Sequence, residues 1–338
     1  MRFKNYFRYL KASILLVIHL QRQKWYLKKV LEPILQEAES TNDGSLTAQD
    51  FKKIRSYYAL FVVAILGENY CTLRGRGLTK RERRILTFQG ALTGLYDDFF
   101  DHPERINRDV KGMMRNPFNY PAKDSVEKLF LRFLQEVHQL LREKDKAAFE
   151  KIFDEIYEVQ LRSQLQVNSF LTETELRFIS RDKGGLSHLF YRITLDHPLD
   201  EIENETIFLL GYLLQQVNDL FDLWKDYNSG ISTFATNTTN MRITRLEYET
   251  TLNHLFSYVH RMNYPKSRRQ DFFIQFMIFF GMGLVCLNQY VELQNESRVE
   301  FSPALYTRKQ LVCDMHLREN RVKLKNICKL YDYLFEVD

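Results

Sequence analysis

The sequence predicts an all-α fold, and three observations support this prediction. Apolar residues recur at helical spacing along nearly the whole chain, most clearly over residues 126–141. Glycine and proline are scarce, at 13 and 7 of 338 residues, and most prolines fall between the periodic segments. No internal repeat or linker divides the chain, so a single domain over residues 1–338 is the simplest architecture, with residues 1–38 as a helix that could lie at its periphery.

Helical periodicity predicts ten helices in order along the chain. Thr47 precedes Asp50, and Thr79 has capping-box spacing to Glu82, so helices should begin at both threonines. Residues 102–122 and 228–240 are rich in Pro, Asn, Ser or Thr and predict loops that could close as lids. The predicted helices cover residues 3–38, 47–72, 79–101, 124–143, 146–171, 173–195, 200–227, 243–262, 267–294 and 304–335.

Composition restricts the class of protein. A net charge of +5 is mild for 338 residues, and no Lys/Arg block alternates with aromatic residues, so the sequence argues against a nucleic-acid partner. The four cysteines (Cys71, Cys286, Cys313 and Cys328) stand singly, mostly among apolar residues, which is typical of reduced, buried thiols. We therefore expect a cytoplasmic protein, as a monomer or a homodimer.

The N-terminus leaves two readings open. Basic residues precede a short apolar run over residues 12–20, but no small-residue cleavage site follows it. The run is also shorter than the ~20 residues that span a bilayer. An ordinary first helix is the preferred interpretation, and a basic helix resting on a membrane surface is the alternative.

Two acidic runs stand at the C-terminal ends of otherwise apolar predicted helices. The first is LYDDFFD over residues 95–101, and the second is VNDLFDLWKD over residues 217–226. Each repeats oxygen-bearing side chains four residues apart, so these side chains share one stripe of a helix. Carboxylates at a helix C-terminus oppose the helix dipole, and buried ones are costly unless paired or bound to a metal. A Mg²⁺ site that binds a diphosphate is the first hypothesis, and a solvated helix end is the alternative.

These runs resemble the two metal-binding motifs of the class I isoprenoid synthase superfamily, and most closely those of bacterial-type class I terpene synthases. The first motif, Asp-Asp-x-x-Asp, is matched by Asp97, Asp98 and Asp101. The second, Asn-Asp-x-x-Ser-x-x-x-Glu, is matched in spacing by residues 218–226, where aspartate replaces both the serine and the glutamate.

The resemblance implies antiparallel helices around a deep apolar pocket, with both motifs at its mouth. It implies three Mg²⁺ ions, with Mn²⁺ as an alternative ion, and a prenyl diphosphate substrate. The implied metal-binding and catalytic residues are Asp97, Asp98, Asp101, Asn218, Asp219, Asp222 and Asp226, and Lys225 would contact the diphosphate.

Further diphosphate ligands are expected among basic residues in two places. The segment RDKGG over residues 181–185 falls where this superfamily breaks a helix beside the substrate, which makes Arg181 and Lys183 candidates. Arg177 and Arg308 are the other candidates, because they lie near the positions of expected arginines. A plain turn with solvated charges is the alternative for residues 181–185.

The expected function is therefore that of a Mg²⁺-dependent terpene synthase, a lyase that ionises a prenyl diphosphate and cyclises or rearranges the cation. Asp222 and Asp226 also match the second motif of squalene, phytoene and prenyl diphosphate synthases, so a prenyltransferase is the first alternative. The second alternative is a non-catalytic helical protein that binds lipids at the membrane surface through its basic N-terminus.

Overall fold

The prediction of an all-α helical bundle is confirmed by a computed structural model, which describes residues 3–102, 104–167 and 170–331. Within these ranges there is no β-strand, and the only extended pairing is a bridge between Val167 and Ile231. The helices are α1 (Phe3–Val30), α2 (Glu32–Ser40), α3 (Ala48–Lys53), α4 (Ala59–Phe61), α5 (Glu68–Arg74), α6 (Lys80–Tyr96), α7 (Asp98–Asp101), α8 (Val110–Arg115), α9 (Ser125–Leu140), α10 (Glu143–Ser163), α11 (Glu173–Arg192), α12 (Glu201–Phe221), α13 (Leu223–Asn228), α14 (Phe234–Asn237), α15 (Met241–Arg261), α16 (Lys266–Ser297), α17 (Arg308–Leu311) and α18 (Arg318–Leu330).

The backbone contacts group the helices into two compact units. The first unit contains residues 13–160 and 190–198, and the second contains residues 1–12, 161–189 and 199–338. The prediction of one domain over residues 1–338, like that of a deep apolar pocket, stays a prediction.

In the first unit, α6 is the central helix and packs against α9. Its N-terminus begins at Thr79, and the capping box with Glu82 is formed as predicted; Thr47 and Asp50 form another at α3. Two π-helical segments, Ile54–Tyr58 and Val62–Gly67, also pack against α6.

In the second unit, α16 is the central helix and packs against α12, α15 and α18. Its aromatic side chains Phe272, Phe273, Phe276 and Phe280 are buried. Of the described helices, α16 alone is long and apolar enough to cross a membrane, and 67% of its most apolar stretch is buried inside the protein. A mostly buried core helix has the same length and composition as a membrane span, so these two properties alone do not identify α16 as one.

Several predicted boundaries are corrected by the structure. The helix predicted over 3–38 is interrupted at Leu31, two residues before Pro33. The helix predicted over 304–335 is wrong: α17 and α18 are separated by residues 312–317, and residues 332–335 lie outside the described part of the chain. Short helices α8 and α14 form within the predicted loops 102–122 and 228–240.

The predicted helix break at Gly184 and Gly185 is also wrong, because α11 runs through both glycines without interruption. The two glycines instead permit close packing of α11 on α12. A Cβ atom on Gly184 would meet the backbone carbonyl of Gly211 and would lie 2.7 Å from the Cβ atom of Gln215. A Cβ atom on Gly185 would lie 2.6 Å from the ring of Phe208. The adjacent glycines therefore indicate a close helix–helix contact rather than a turn, because the space that a side chain would need is occupied by α12.

Gly184→Ala is expected to lower the free energy of unfolding by about 1–3 kcal/mol, because the new methyl group must push two helix backbones apart. Gly77→Ala is the control, since the nearest heavy atom to its added Cβ, Oε2 of Glu68, lies at an ordinary 3.5 Å. Urea denaturation of both variants measures the difference. Equal stability of the two variants would contradict the close contact between α11 and α12.

Candidate metal and diphosphate site

The first acidic run, in the first unit, contains a helix break. Helix α6 ends at Tyr96, Asp97 forms the junction, and α7 begins at Asp98. The carboxylate of Asp97 accepts hydrogen bonds from Tyr58 Oη at 2.8 Å and from Gln160 Nε2 at 2.7 Å. Asp97 raises the pKa of the Tyr58 hydroxyl, and burial adds to the effect. Both of these donors are neutral, and they fix the orientation of the Asp97 carboxylate.

Asp98 has a different environment, because cations of the protein surround it. Its Oδ1 accepts a hydrogen bond from Lys53 Nζ at 2.5 Å, and its Oδ2 lies 3.8 Å from a guanidinium nitrogen of Arg105. Arg105 also holds Asp50, with a nitrogen–oxygen distance of 3.0 Å. Burial raises the pKa of Asp98, and Asp50 adds to the rise, while Lys53 opposes it. Asp98 is therefore part of a buried ionic network.

Asp101, the third residue of this motif, is exposed at the end of α7. The glycines one and two turns before the motif, Gly94 and Gly90, are filled by neighbouring residues and leave no open space. A Cβ atom on Gly90 would lie 2.7 Å from the carbonyl oxygen of Tyr58, and one on Gly94 would lie 3.3 Å from the Tyr58 ring. These glycines accommodate the π-helical segment that carries Tyr58 to Asp97.

The second acidic run, in the second unit, also contains a helix break. Helix α12 ends at Phe221, and Asp222, with φ −88° and ψ 2°, joins it to α13. Asn218 is exposed, and Asp222 is partly exposed with its Oδ2 3.2 Å from Lys225 Nζ. Two of the four residues that the resemblance implies as metal-binding in this run, Asn218 and Asp222, are therefore accessible to solvent.

Asp219 is buried, and its partners are neutral. Its carboxyl oxygens accept hydrogen bonds from Ser180 Oγ and Gln215 Nε2, both at 2.8 Å. Burial raises the pKa of Asp219 to about 6, against the opposing effect of these hydrogen bonds and of Lys183. Asp219 connects α12 to α11, and this contact favours a positioning role over direct metal binding.

Asp226 lies one turn after Asp222 and is also buried. Burial raises the pKa of Asp226 to about 7, and the neighbouring charges of Asp219 and Asp222 add to the rise. Lys183 and Lys225 oppose it. Three carboxyl groups thus share one region in which two lysines supply only part of the compensating charge, an environment that favours binding of a further cation.

The other predicted basic residues have their own partners. Arg177 forms ion pairs with Glu173 and Glu247, and Arg181 stacks over the Phe208 ring at 5.2 Å. Arg308 is exposed on α17, which packs against α13. Within the second unit, the structure therefore brings Lys183, Lys225 and the helix of Arg308 to the second acidic run.

Sequence reasoning missed Ser180, Lys53, Tyr58 and Gln160. Ser180 stands one turn before Gly184, and its small side chain on the contact face of α11 was an available signal. Lys53, Tyr58 and Gln160 are distant in sequence from the first acidic run, and nothing in their local pattern marked them.

The donor set fits Mg²⁺ by its chemistry, since Asn and Asp oxygens are the ligands that this ion uses. In the part of the chain that the structure describes, no three His, Cys, Asp or Glu side chains converge as a metal-binding group. Mg²⁺ is commonly held by one or two carboxylates together with water and substrate phosphates, so convergence of three side chains is not required. That the two acidic runs face each other stays a prediction.

In comparisons with known proteins, no protein-family model matches the chain, and a search of curated proteins returns no significant match. The resemblance to class I isoprenoid synthases therefore depends on the motif residues themselves.

Asp219→Asn is expected to change the pH dependence of stability. The folded-state pKa of about 6 exceeds the ordinary aspartate value of 3.8, so Asp219 costs folding free energy progressively as pH rises from about 4 to about 6. The cost at neutral pH is about 2–3 kcal/mol. The stability of Asp219→Asn relative to wild type should therefore increase between pH 4 and pH 7 by an amount of this order.

Urea denaturation of both proteins across this pH range, in buffer with a chelator, measures the difference. The comparison cancels titrating groups that do not interact with Asp219, and any pH-independent cost of the amide remains constant. Asp219 also raises the pKa of Asp226, so its removal relieves part of that rise and adds to the difference in the same direction. A difference that does not vary with pH would show that Asp219 ionises as readily in the folded chain as in the unfolded chain.

Proposed function

We propose that this protein is a Mg²⁺-dependent enzyme that ionises a prenyl diphosphate and cyclises or rearranges the resulting carbocation, as a class I terpene synthase does. The observation that carries the proposal is the stripe of Asn218, Asp222 and Asp226 across the break between α12 and α13. Two of these side chains are accessible to solvent, and Lys225 stands beside them. A partly compensated acidic stripe beside lysines suits a substrate whose phosphate oxygens can bind both metal ions and ammonium groups.

Each residue of the stripe has a proposed role. Asn218, Asp222 and Asp226 would hold one ion, and Lys183 and Lys225 would donate hydrogen bonds to diphosphate oxygens. Bound Mg²⁺ would supply positive charge that stabilises the diphosphate as it leaves with the electron pair of the C–O bond. Asp219 would position α12 through Ser180, without contact to the substrate.

The environments of Asp97 and Asp98 separate their proposed roles. Asp97 is oriented by hydrogen bonds from Tyr58 and Gln160, so its proposed role is that of a metal ligand. Asp98 is held by Lys53 and Arg105, so its proposed role is to fix the break between α6 and α7. Asp101 is exposed and remains available as a second ligand on the same stripe.

Purified protein incubated with Mg²⁺ and single C10, C15, C20 or C25 prenyl diphosphates is expected to release diphosphate and form a hydrocarbon or alcohol. Asp97→Ala and Asn218→Ala should each lower kcat/KM about 10- to 100-fold or more, because each removes an oxygen ligand. Mass spectrometry of organic extracts and a diphosphate-release assay measure the outcome. Asn253→Ala, which changes an exposed asparagine on α15, is the matched control and should keep wild-type activity.

The same experiment decides among the alternatives. Products of doubled or extended carbon number, formed from two molecules of substrate or with added isopentenyl diphosphate, would replace the cyclase with a prenyltransferase. Absence of turnover, together with no Mg²⁺-dependent thermal stabilisation by diphosphate, would overturn both enzymatic proposals. A non-catalytic helical lipid-binding protein would then be the better account.

A further inference from the structure

Helix α1 exposes a row of large apolar side chains. Each is between 44% and 59% exposed, whereas apolar side chains of this size are ordinarily buried. The row occupies positions separated by three, four or seven residues, apart from one adjacent pair, so its members share one side of the helix. It consists of Phe7, Leu10, Ile14, Val17, Ile18 and Trp25.

The opposite side of α1 is attached to the protein. Ala12, Gln23 and Leu27 are buried. Gln23 donates hydrogen bonds to the carbonyl oxygen of Ala59 at 3.1 Å and to Thr87 Oγ1 at 2.9 Å. The helix is therefore held along one side, while the apolar row, ~27 Å long at 1.5 Å per residue, faces outward.

The charge on this segment has one sign. Residues 1–31 contain eight Lys and Arg residues and no Asp or Glu. Arg22, Lys24, Lys28 and Lys29 are exposed around the C-terminal half of the row. The ammonium group of Lys29 lies 3.8 Å from the centre of the Trp25 ring, so cationic and aromatic surface adjoin at this end.

We propose that α1 binds the surface of a membrane that contains anionic phospholipid, with its axis in the plane of the surface and its apolar row inserted among the acyl chains. The lysines and arginines would meet lipid phosphates, and Trp25 would lie at the level of the headgroups. This surface shares no residue with the acidic stripe, and its function does not depend on the diphosphate chemistry.

Charge complementarity favours this occupant over two others. A second copy of α1 placed on the row would bring two positive helices together, and neither helix carries an acidic residue; Asp271, which pairs with Arg8 and Lys11, leaves Lys24, Lys28 and Lys29 to repel their counterparts. A nucleic-acid duplex would satisfy the charge but would leave the apolar row in water, because its bases are stacked inside and its outer surface is phosphate and sugar. An anionic lipid surface satisfies both features at once.

Flotation with phosphatidylglycerol–phosphatidylcholine vesicles tests the proposal. The wild-type chain should float with mixed vesicles, and binding should fall about tenfold or more with pure phosphatidylcholine, since each basic residue near an anionic surface contributes appreciably. Ile14→Gln combined with Val17→Gln should lower binding to mixed vesicles about tenfold or more, because apolar area no longer enters the bilayer. Lys24→Glu combined with Lys28→Glu should also lower binding to mixed vesicles about tenfold or more, because it reverses two charges that attract the anionic surface.

Ile243→Gln combined with Leu246→Gln is the matched control. These α15 side chains are 54% and 63% exposed and have the same three-residue spacing as Ile14 and Val17. The control should bind vesicles like the wild type. Equal loss of binding in the control and in the α1 variant would overturn the assignment to α1.

Trp25 gives a local measurement of the same interaction. The protein has two tryptophans, so Trp224→Phe leaves Trp25 as the only one. Mixed vesicles should shift its emission to shorter wavelength and protect it from an aqueous quencher. Absence of vesicle binding and of this shift would overturn the proposal. Dimers that dissociate on Ile14→Gln with Val17→Gln would then identify the row as a contact between copies.

Discussion

The cost of holding carboxylates inside a helical protein is the constraint on which this structure depends. A buried carboxylate has to be neutralised by a cation, satisfied by hydrogen-bond donors, or protonated. The chain uses the first solution at Asp98, where Lys53 and Arg105 supply the charge. It uses the second at Asp219, where Ser180 and Gln215 are neutral donors and burial raises the pKa.

How completely a buried carboxylate is compensated by the protein affects what it can do. An aspartate that protein cations already neutralise contributes mainly to structure, because a metal would have to displace them. At Asp226 burial and the neighbouring charges of Asp219 and Asp222 raise the pKa, and Lys225 and Lys183 oppose the rise, so the negative charge is only partly compensated. The two acidic runs match the motifs by residue type, whereas the side-chain environments differ from one aspartate to the next.

Helix packing places these groups through small residues. Gly184 and Gly211 bring the backbones of α11 and α12 into contact, and Ser180 on the same face of α11 therefore reaches Asp219. In the first unit, Gly90 allows the π-helical segment to approach α6, so that Tyr58 contacts Asp97. In both cases the absence of a Cβ atom on a glycine lets two backbones approach, and this approach brings a hydroxyl group to the carboxylate of Asp219 or Asp97.

The sequence by itself determined the helical class, most helix positions, the helix start at Thr47 and the capping box at Thr79, because helical periodicity and capping are local properties of the chain. It also located both acidic runs. Only the tertiary structure decided that α11 is continuous through Gly184, that Asp98 is ion-paired and that one side of α1 is uncovered. Each of these depends on contacts between residues that are distant in sequence, and local patterns do not encode which surfaces meet.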